Sequence, residues 1–176
     1  MAIRRKHIRD LVGKLLETHK IESSPIQVND IARALGIQVR YESTKDELSG
    51  FLLRDLSRHK AIIGVNNDHH PNRQRFTIAH ELGHFFLHTQ EKLHVDRGFQ
   101  INLRDGNSSK GEIEDEKEAN LFAAELLIPF QFIQKELAAI EVLDLEDDSI
   151  SKLAEKYEVS TQAMAFRLSY LGYIQL

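Results

Sequence analysis

Residues 75–88 read Arg75-Phe76-Thr77-Ile78-Ala79-His80-Glu81-Leu82-Gly83-His84-Phe85-Phe86-Leu87-His88. Pro71 stands where a proline can open a helix, and the pattern from Asn72 to about His88 predicts one long helix. Within it, His80-Glu81-Leu82-Gly83-His84 matches HExxH. Residues four apart on a helix share a face, so the His80 and His84 imidazoles can converge on one ion with metal–nitrogen bonds of about 2.0–2.1 Å. Glu81 is turned from His80 by about 100°. That offset brings its carboxylate near a water beside the ion without making it a ligand, so Glu81 is the candidate general base. The competing reading is a chance match in a chain where 9 of 176 residues are histidine. Context opposes it: Leu82, Gly83, Phe85 and Phe86 suit a helix buried on several sides, where an uncompensated His-Glu-His would be costly and a cation would remove the cost.

Composition narrows the setting. A chain of 176 residues can form one domain with a core, or one domain and a small appendage, and 41% hydrophobic with 28% charged residues is a globular rather than a disordered balance. No apolar run approaches the roughly 18–20 residues of a membrane span. The start, Met1 to His7, leads into an amphipathic pattern rather than a signal peptide, so a cytoplasmic protein is expected. With no cysteine, a metal site must be built from His, Asp and Glu, which suits a catalytic zinc better than a zinc finger. A net charge of -4 offers nucleic acid no overall attraction, and DNA contact would need a local basic patch.

A catalytic zinc commonly has three protein ligands. The metzincin extension would require glycine at position 87 and histidine at 90, where Leu87 and Gln90 stand. His88 lies eight residues from His80, about 12 Å along a straight helix, and reads as an outer partner or a surface residue. A later helix, about Glu112 to Ile128, offers a better donor. Ile113, Glu116, Asn120, Ala123 and Leu127 form a stripe at spacings of three and four, so Glu116 and Asn120 interrupt an inward apolar face. Glu116 is the expected third ligand and Asn120 the partner that orients a ligating histidine. Glu112 is an inward rival near the helix end, whereas Glu114, Glu118 and Glu125 read as a solvated outer face.

Around this centre, helices are predicted from about Ile8 to His19, from Val28 to Leu35 with Gly36 as terminator, and from about Phe130 to Ile140. Strands are expected at Ile37–Tyr41, at a hairpin of 50–54 and 61–65, and at Phe99–Leu103, with about three in the sheet. The turn-rich tract Asp105 to Gly111 and the acidic stretch Glu141 to Asp148 read as connections. Two short helices, Ile150–Tyr157 and Thr161–Tyr170, close the chain, with Ser160 as N-cap.

Arg75 to His84 together with Glu116-Lys-Glu-Ala-Asn120-Leu-Phe-Ala-Ala-Glu-Leu-Leu-Ile-Pro129 resembles the ImmA/IrrE family of metallopeptidases over roughly Ile26 to Tyr173. The Glu-x-x-x-Asn spacing also resembles the Glu-x-x-x-Asp of thermolysin-like gluzincins, whose glutamate is the third zinc ligand. The resemblance implies an α+β fold: a zincin-like core with a small β-sheet beside the active-site helix, spanning 1–140 with an N-terminal helix in 1–22, and a helix-turn-helix-like module at 141–176. It implies a cytoplasmic protease holding one Zn2+ ion through His80, His84 and Glu116. The protease would use Glu81 to cleave a protein substrate, a helix-turn-helix transcriptional repressor, and so relieve repression. An oxyanion helper is expected among His94, Arg97, Tyr41 and the pair His69-His70, and the sequence does not choose.

The closing helices carry Glu158 where a helix-turn-helix commonly has glycine. From Asp148 to Leu176 the cations Lys152, Lys156 and Arg167 only balance Asp148, Glu155 and Glu158, so packing or protein binding is favoured over DNA. The main rival function is a DNA-binding regulator whose metal is structural or sensory. A further one is a protease-like protein that holds its partner without cutting it. No sequence feature sets the oligomeric state.

Overall fold

The computed structural model of the chain describes residues 3–43, 48–55, 60–89, 92–96, 110–139 and 147–175. Its first helix, α1 (Arg5–Thr18), buries Ile8, Val12, Leu15 and Leu16, the positions that helical periodicity singles out. A second, α2 (Val28–Ala34), stops where Gly36 turns to φ +74°, a left-handed conformation that costs glycine little. Then come β1 (Ile37–Glu42), β2 (Gly50–Asp55) and β3 (Lys60–Asn66). Strands β2 and β3 are antiparallel, whereas β1 joins β3 in parallel.

Among the described residues the sheet has four strands, not about three, in the order β1-β3-β2-β4. The added strand β4 (Leu93–Asp96) pairs antiparallel with β2 at the sheet edge. It lies six residues before the expected strand at Phe99–Leu103, which falls outside the described residues. Within the expected turn-rich tract, Lys110 and Gly111 belong to a helix and residues 105–109 lie outside the description.

The motif helix α3 (Pro71–Leu87) has Pro71 in its first turn, and the His70 ring caps it by accepting from the Asn72 amide. Nine of its residues are buried, Thr77 to His84 and Leu87, because the sheet covers one side and helix α4 (Lys110–Leu127) another. The approach to α4 depends on Gly83: a Cβ there would stand 2.9 Å from Ala119 Cα and 3.1 Å from Ala119 O. At the far end, Arg54 of β2 and the His88 amide both donate to the His84 carbonyl, at 2.6 and 3.0 Å. The end of the motif helix is therefore tied to the sheet.

Three further helices follow: α5 (Phe130–Ala139), α6 (Asp147–Tyr157) and α7 (Thr161–Tyr170). Asp147 and Asp148 open α6 rather than close a linker, and 141–146 lie outside the described residues. Ser160 caps α7, its hydroxyl accepting from the Ala163 amide at 3.1 Å. Glu158 occupies the turn with φ +52°, the left-handed conformation expected of glycine. Its carbonyl accepts from Arg75 Nε at 3.2 Å and its carboxylate lies 3.0 Å from Arg75 Nη1, so α3 holds the strained turn in place. Among the described residues, no helix is long and apolar enough to cross a membrane.

Candidate metal centre

His80 and His84 leave the same face of α3 and lie 2% and 1% exposed. Because α4 is packed against Gly83, Glu116 arrives directly opposite them. Its Oε2 lies 3.4 Å from His80 Nε2, its Oε1 3.3 Å from His84 Nε2, and the two Nε2 atoms are 3.1 Å apart. Donors about 2.0–2.1 Å from one ion in a tetrahedron stand about 3.3–3.4 Å from each other. The three separations match that edge length within 0.2 Å, so the donor set fits a tetrahedral cation.

Protonation suits the same purpose. Burial, aided by the nearby His80 and His84-facing His94 rings, pushes the His84 imidazole down to about 3 against the pull of Glu116, so it is neutral at pH 7 and has a lone pair to give. Burial alone would raise the Glu116 carboxyl, but hydrogen bonds and charge from His80 and His84 outweigh it and hold the group below the ordinary carboxylate range. Two imidazoles, that of His84 held neutral, facing an ionised carboxylate form a site of the kind zinc prefers, built without thiolates.

The far ring nitrogens are fixed as well. Asn120 Oδ1 lies 3.0 Å from His80 Nδ1, and a carbonyl oxygen can only accept, so His80 carries a proton on Nδ1 and turns Nε2 toward the centre. His84 Nδ1 lies 3.0 Å from His88 Nδ1, and His88 Nε2 lies 3.4 Å from Glu118 Oε2 and 3.3 Å from Asp115 Oδ1. One assignment satisfies the whole chain: His84 donates to His88, and His88 donates to the acids. Glu118 in turn accepts from the Arg4 side chain at 2.5, 3.0 and 3.1 Å. His88, Asp115 and Glu118 could themselves surround a cation, but the Arg4 guanidinium already supplies the positive charge there.

These contacts correct two expectations. Glu118 and Glu125 are not a solvated face: they are 5% and 4% exposed. Arg4 covers the first, and Arg167 of α7, 2.6 Å from Glu125 Oε2, covers the second. Conversely, Ile113 at the start of the supposed inward stripe is 37% exposed. The Glu112 side chain lies outside the described residues.

Glu81 is fully buried. Among the candidate oxyanion helpers, His94 comes to the centre: its Nε2 lies 3.2 Å from Glu116 Oε1, and its ring stacks on His84 with centroids 3.5 Å apart. Tyr41 instead donates to Asn29 Oδ1 at 3.1 Å, His70 caps α3, and the His69 ring faces Asn66. Arg97 lies outside the described residues. His94 alone had no distinguishing signal in the sequence, because apolar–polar–apolar alternation around it does not reveal which face points inward.

Comparison with known proteins follows the same lines. A family model described as the IrrE N-terminal-like domain matches residues 32–169. Metallopeptidase ImmA of Bacillus subtilis (strain 168) is 28% identical over 171 residues, which cover 95% of this chain and 87% of that protein. A solved structure of a Mycobacterium tuberculosis transcriptional regulator superposes with a TM-score of 0.62 at 18% identity, over 93% of this chain. The chain spans only 55% of that structure, and the likeness is one of fold.

Proposed function

Because the chain belongs to the ImmA/IrrE family of metallopeptidases, we propose that it is a zinc-dependent endopeptidase in which His80, His84 and Glu116 hold one zinc ion and Glu81 is the general base. The observation that carries this reading is the convergence of two imidazole Nε2 atoms and a carboxylate at 3.1–3.4 Å, from two helices that meet at Gly83.

Zinc, when bound, supplies Lewis acidity that polarises the scissile carbonyl and makes a water easier to deprotonate. The chain does the rest. Glu81 takes the water proton and passes it to the departing amine, a step its place next to His80 on the buried motif helix allows. Asn120 holds the His80 ring by its far nitrogen, and His88, braced by Glu118 and Asp115, does the same for His84. With both rings fixed, their lone pairs stay aimed at one point.

The substrate we favour is a cytoplasmic helix-turn-helix transcriptional repressor, as the family resemblance implies. The terminal helices give little support to the rival DNA-binding role. Lys152 pairs with Asp148 at 2.6 Å, Lys156 with Glu136 at 2.5 Å and Arg167 with Glu125 at 2.6 Å, so each of their three cations is engaged by an acid.

Glu81→Gln tests the reading. It should keep zinc at the wild-type stoichiometry and lower cleavage of a repressor, followed on a gel, by about 10²–10⁴-fold. Glu116→Ala should lose zinc as well. A Glu81→Gln protein that cuts at the wild-type rate removes the peptidase mechanism, and a wild-type chain that takes up no zinc removes the metal centre.

A further inference from the structure

Three ligands on α3 and α4 leave one position of a tetrahedral ion unclaimed, and His94 Nε2 lies beside the centre, 3.2 Å from Glu116 Oε1. Across the ladder His94 is paired with Leu52, a fully buried residue, so both share the inward face of the sheet. Leu93 and Val95 take the outward face and are 56% and 42% exposed. An apolar–polar–apolar strand that turns its histidine inward and its aliphatic residues outward runs against the usual preference for burying carbon. The inversion calls for something polar inside.

His94, His80, His84 and Glu116 each present one donor atom within 4.8 Å of the others. The separation of His94 Nε2 from Glu116 Oε1, 3.2 Å, is close to the tetrahedral edge of about 3.3–3.4 Å expected for zinc donors. An oxyanion donor would instead stand beyond the ligand shell, with room for a substrate oxygen between it and the ion.

We propose that His94 is a fourth, displaceable metal ligand, an assignment that rests on the metal centre formed by His80, His84 and Glu116. In the idle enzyme it closes the coordination shell, and it must withdraw before a substrate carbonyl can enter. The fold gives it freedom to do so that the other ligands lack. His80, His84 and Glu116 project from helices packed together at Gly83, whereas among the described residues β4 is a four-residue edge strand held by a single ladder to β2. The His94 ring lies flat on His84, with 20° between planes, so in this position the two lone pairs do not meet at one point; the ring turns onto the ion to close the shell and back onto His84 to open it. The site is thus latent as well as catalytic, and substrate binding has to compete with an imidazole.

Cobalt(II) substituted into the full chain gives the direct test, since each coordinated imidazole yields its own set of paramagnetically shifted proton resonances. Three sets are expected in the wild type, from His80, His84 and His94. Added azide should remove one set and leave two. His94→Gln should show two sets from the outset. It should also hold zinc at least about tenfold more weakly in competition with a chromogenic chelator, since even an outer partner of a ligand is worth about 10–100-fold. Two sets in the wild type, or three that all survive saturating azide, overturn the proposal without touching the three-ligand centre. A wild-type chain that binds no cobalt overturns the centre itself. The wild-type count stands even if the variant fails to fold.

Discussion

Substituting Gly83 with alanine should loosen the metal centre from a position that touches no ligand. Two effects oppose each other. Alanine is favoured over glycine in a helix interior by about 1 kcal/mol. Against that, the new Cβ would meet Ala119 Cα at 2.9 Å, Ala119 O at 3.1 Å and Phe122 Cβ at 3.2 Å. Carbon atoms rest at about 3.5–4.0 Å, so α4 has to retreat by roughly 0.5–1 Å. Two of the three obstructing atoms are backbone and cannot rotate away. Overpacking of this kind costs about 1–3 kcal/mol, which outweighs the helix gain at most of its range. The larger consequence is positional, because Glu116 and Asn120 travel with α4 while His80 and His84 stay with α3. A misplacement of about 1 Å can cost about 10²-fold in activity. The assay is thermal unfolding of metal-free and zinc-loaded protein side by side, with zinc affinity measured against a competing chelator. Gly83→Ala should lower the metal-free Tm by a few degrees, at about 2–4 °C per kcal/mol for a chain of this size, and shrink the further rise on adding zinc. A variant more stable than wild type with unchanged zinc affinity would refute the claim that this close contact positions Glu116.

Two other predictions concern the buried acids. Arg167 and Glu125 are 2% and 4% exposed and paired at 2.6 Å, with Arg9 farther off at 3.6 Å from the other carboxylate oxygen, so Arg167→Met alone should cost up to about 3–5 kcal/mol by removing the nearer partner of a buried carboxylate, whereas Arg167→Met with Glu125→Met should recover most of it. Urea unfolding distinguishes the two, and a double variant no better than the single one contradicts it. Burial would raise the Glu118 carboxyl, but hydrogen bonds and charge from Arg4 override this and hold it down at about 2. A carboxyl lowered in the folded state stabilises above the ordinary carboxylate range, and that contribution is lost as pH falls toward about 2. Acid unfolding of the metal-free protein by circular dichroism should therefore move to higher pH in Arg4→Ala; an unmoved midpoint argues against the pair.

The elements that periodicity predicts from local sequence are the ones it describes well. Helix α1 buries the four positions its spacing selects, and the left-handed Gly36 ends α2 as its backbone freedom suggests. The hairpin of β2 and β3 follows from two short apolar runs around a polar turn. The convergence of Glu116 with His80 and His84 was legible for a related reason: two polar residues on an otherwise apolar stripe need partners, and the only polar demand elsewhere in the chain of comparable strength was HExxH. Glu118 and Glu125 show where that logic fails. Helical spacing places them on a common side, but whether that side meets water depends on Arg4, 114 residues away, and Arg167, 42 residues away. No window along α4 contains that information.

The edge strand β4 illustrates a deeper limit. Alternation in a strand separates two faces without saying which is inside, and the usual rule settles the choice by burying the apolar one. Applied to Leu93-His94-Val95, the rule sends His94 to solvent. The fold does the opposite because the space beneath β4 is lined by His84 and Glu116, where a ring nitrogen finds a partner at 3.2 Å and an aliphatic side chain would leave polar groups stranded. Exposing Leu93 and Val95 costs about 25 cal/mol per Å² of apolar surface, and each polar group stranded inside would cost about 1–3 kcal/mol. A strand whose pattern is inverted in this way is therefore itself a pointer to the centre, once the helix opposite is known.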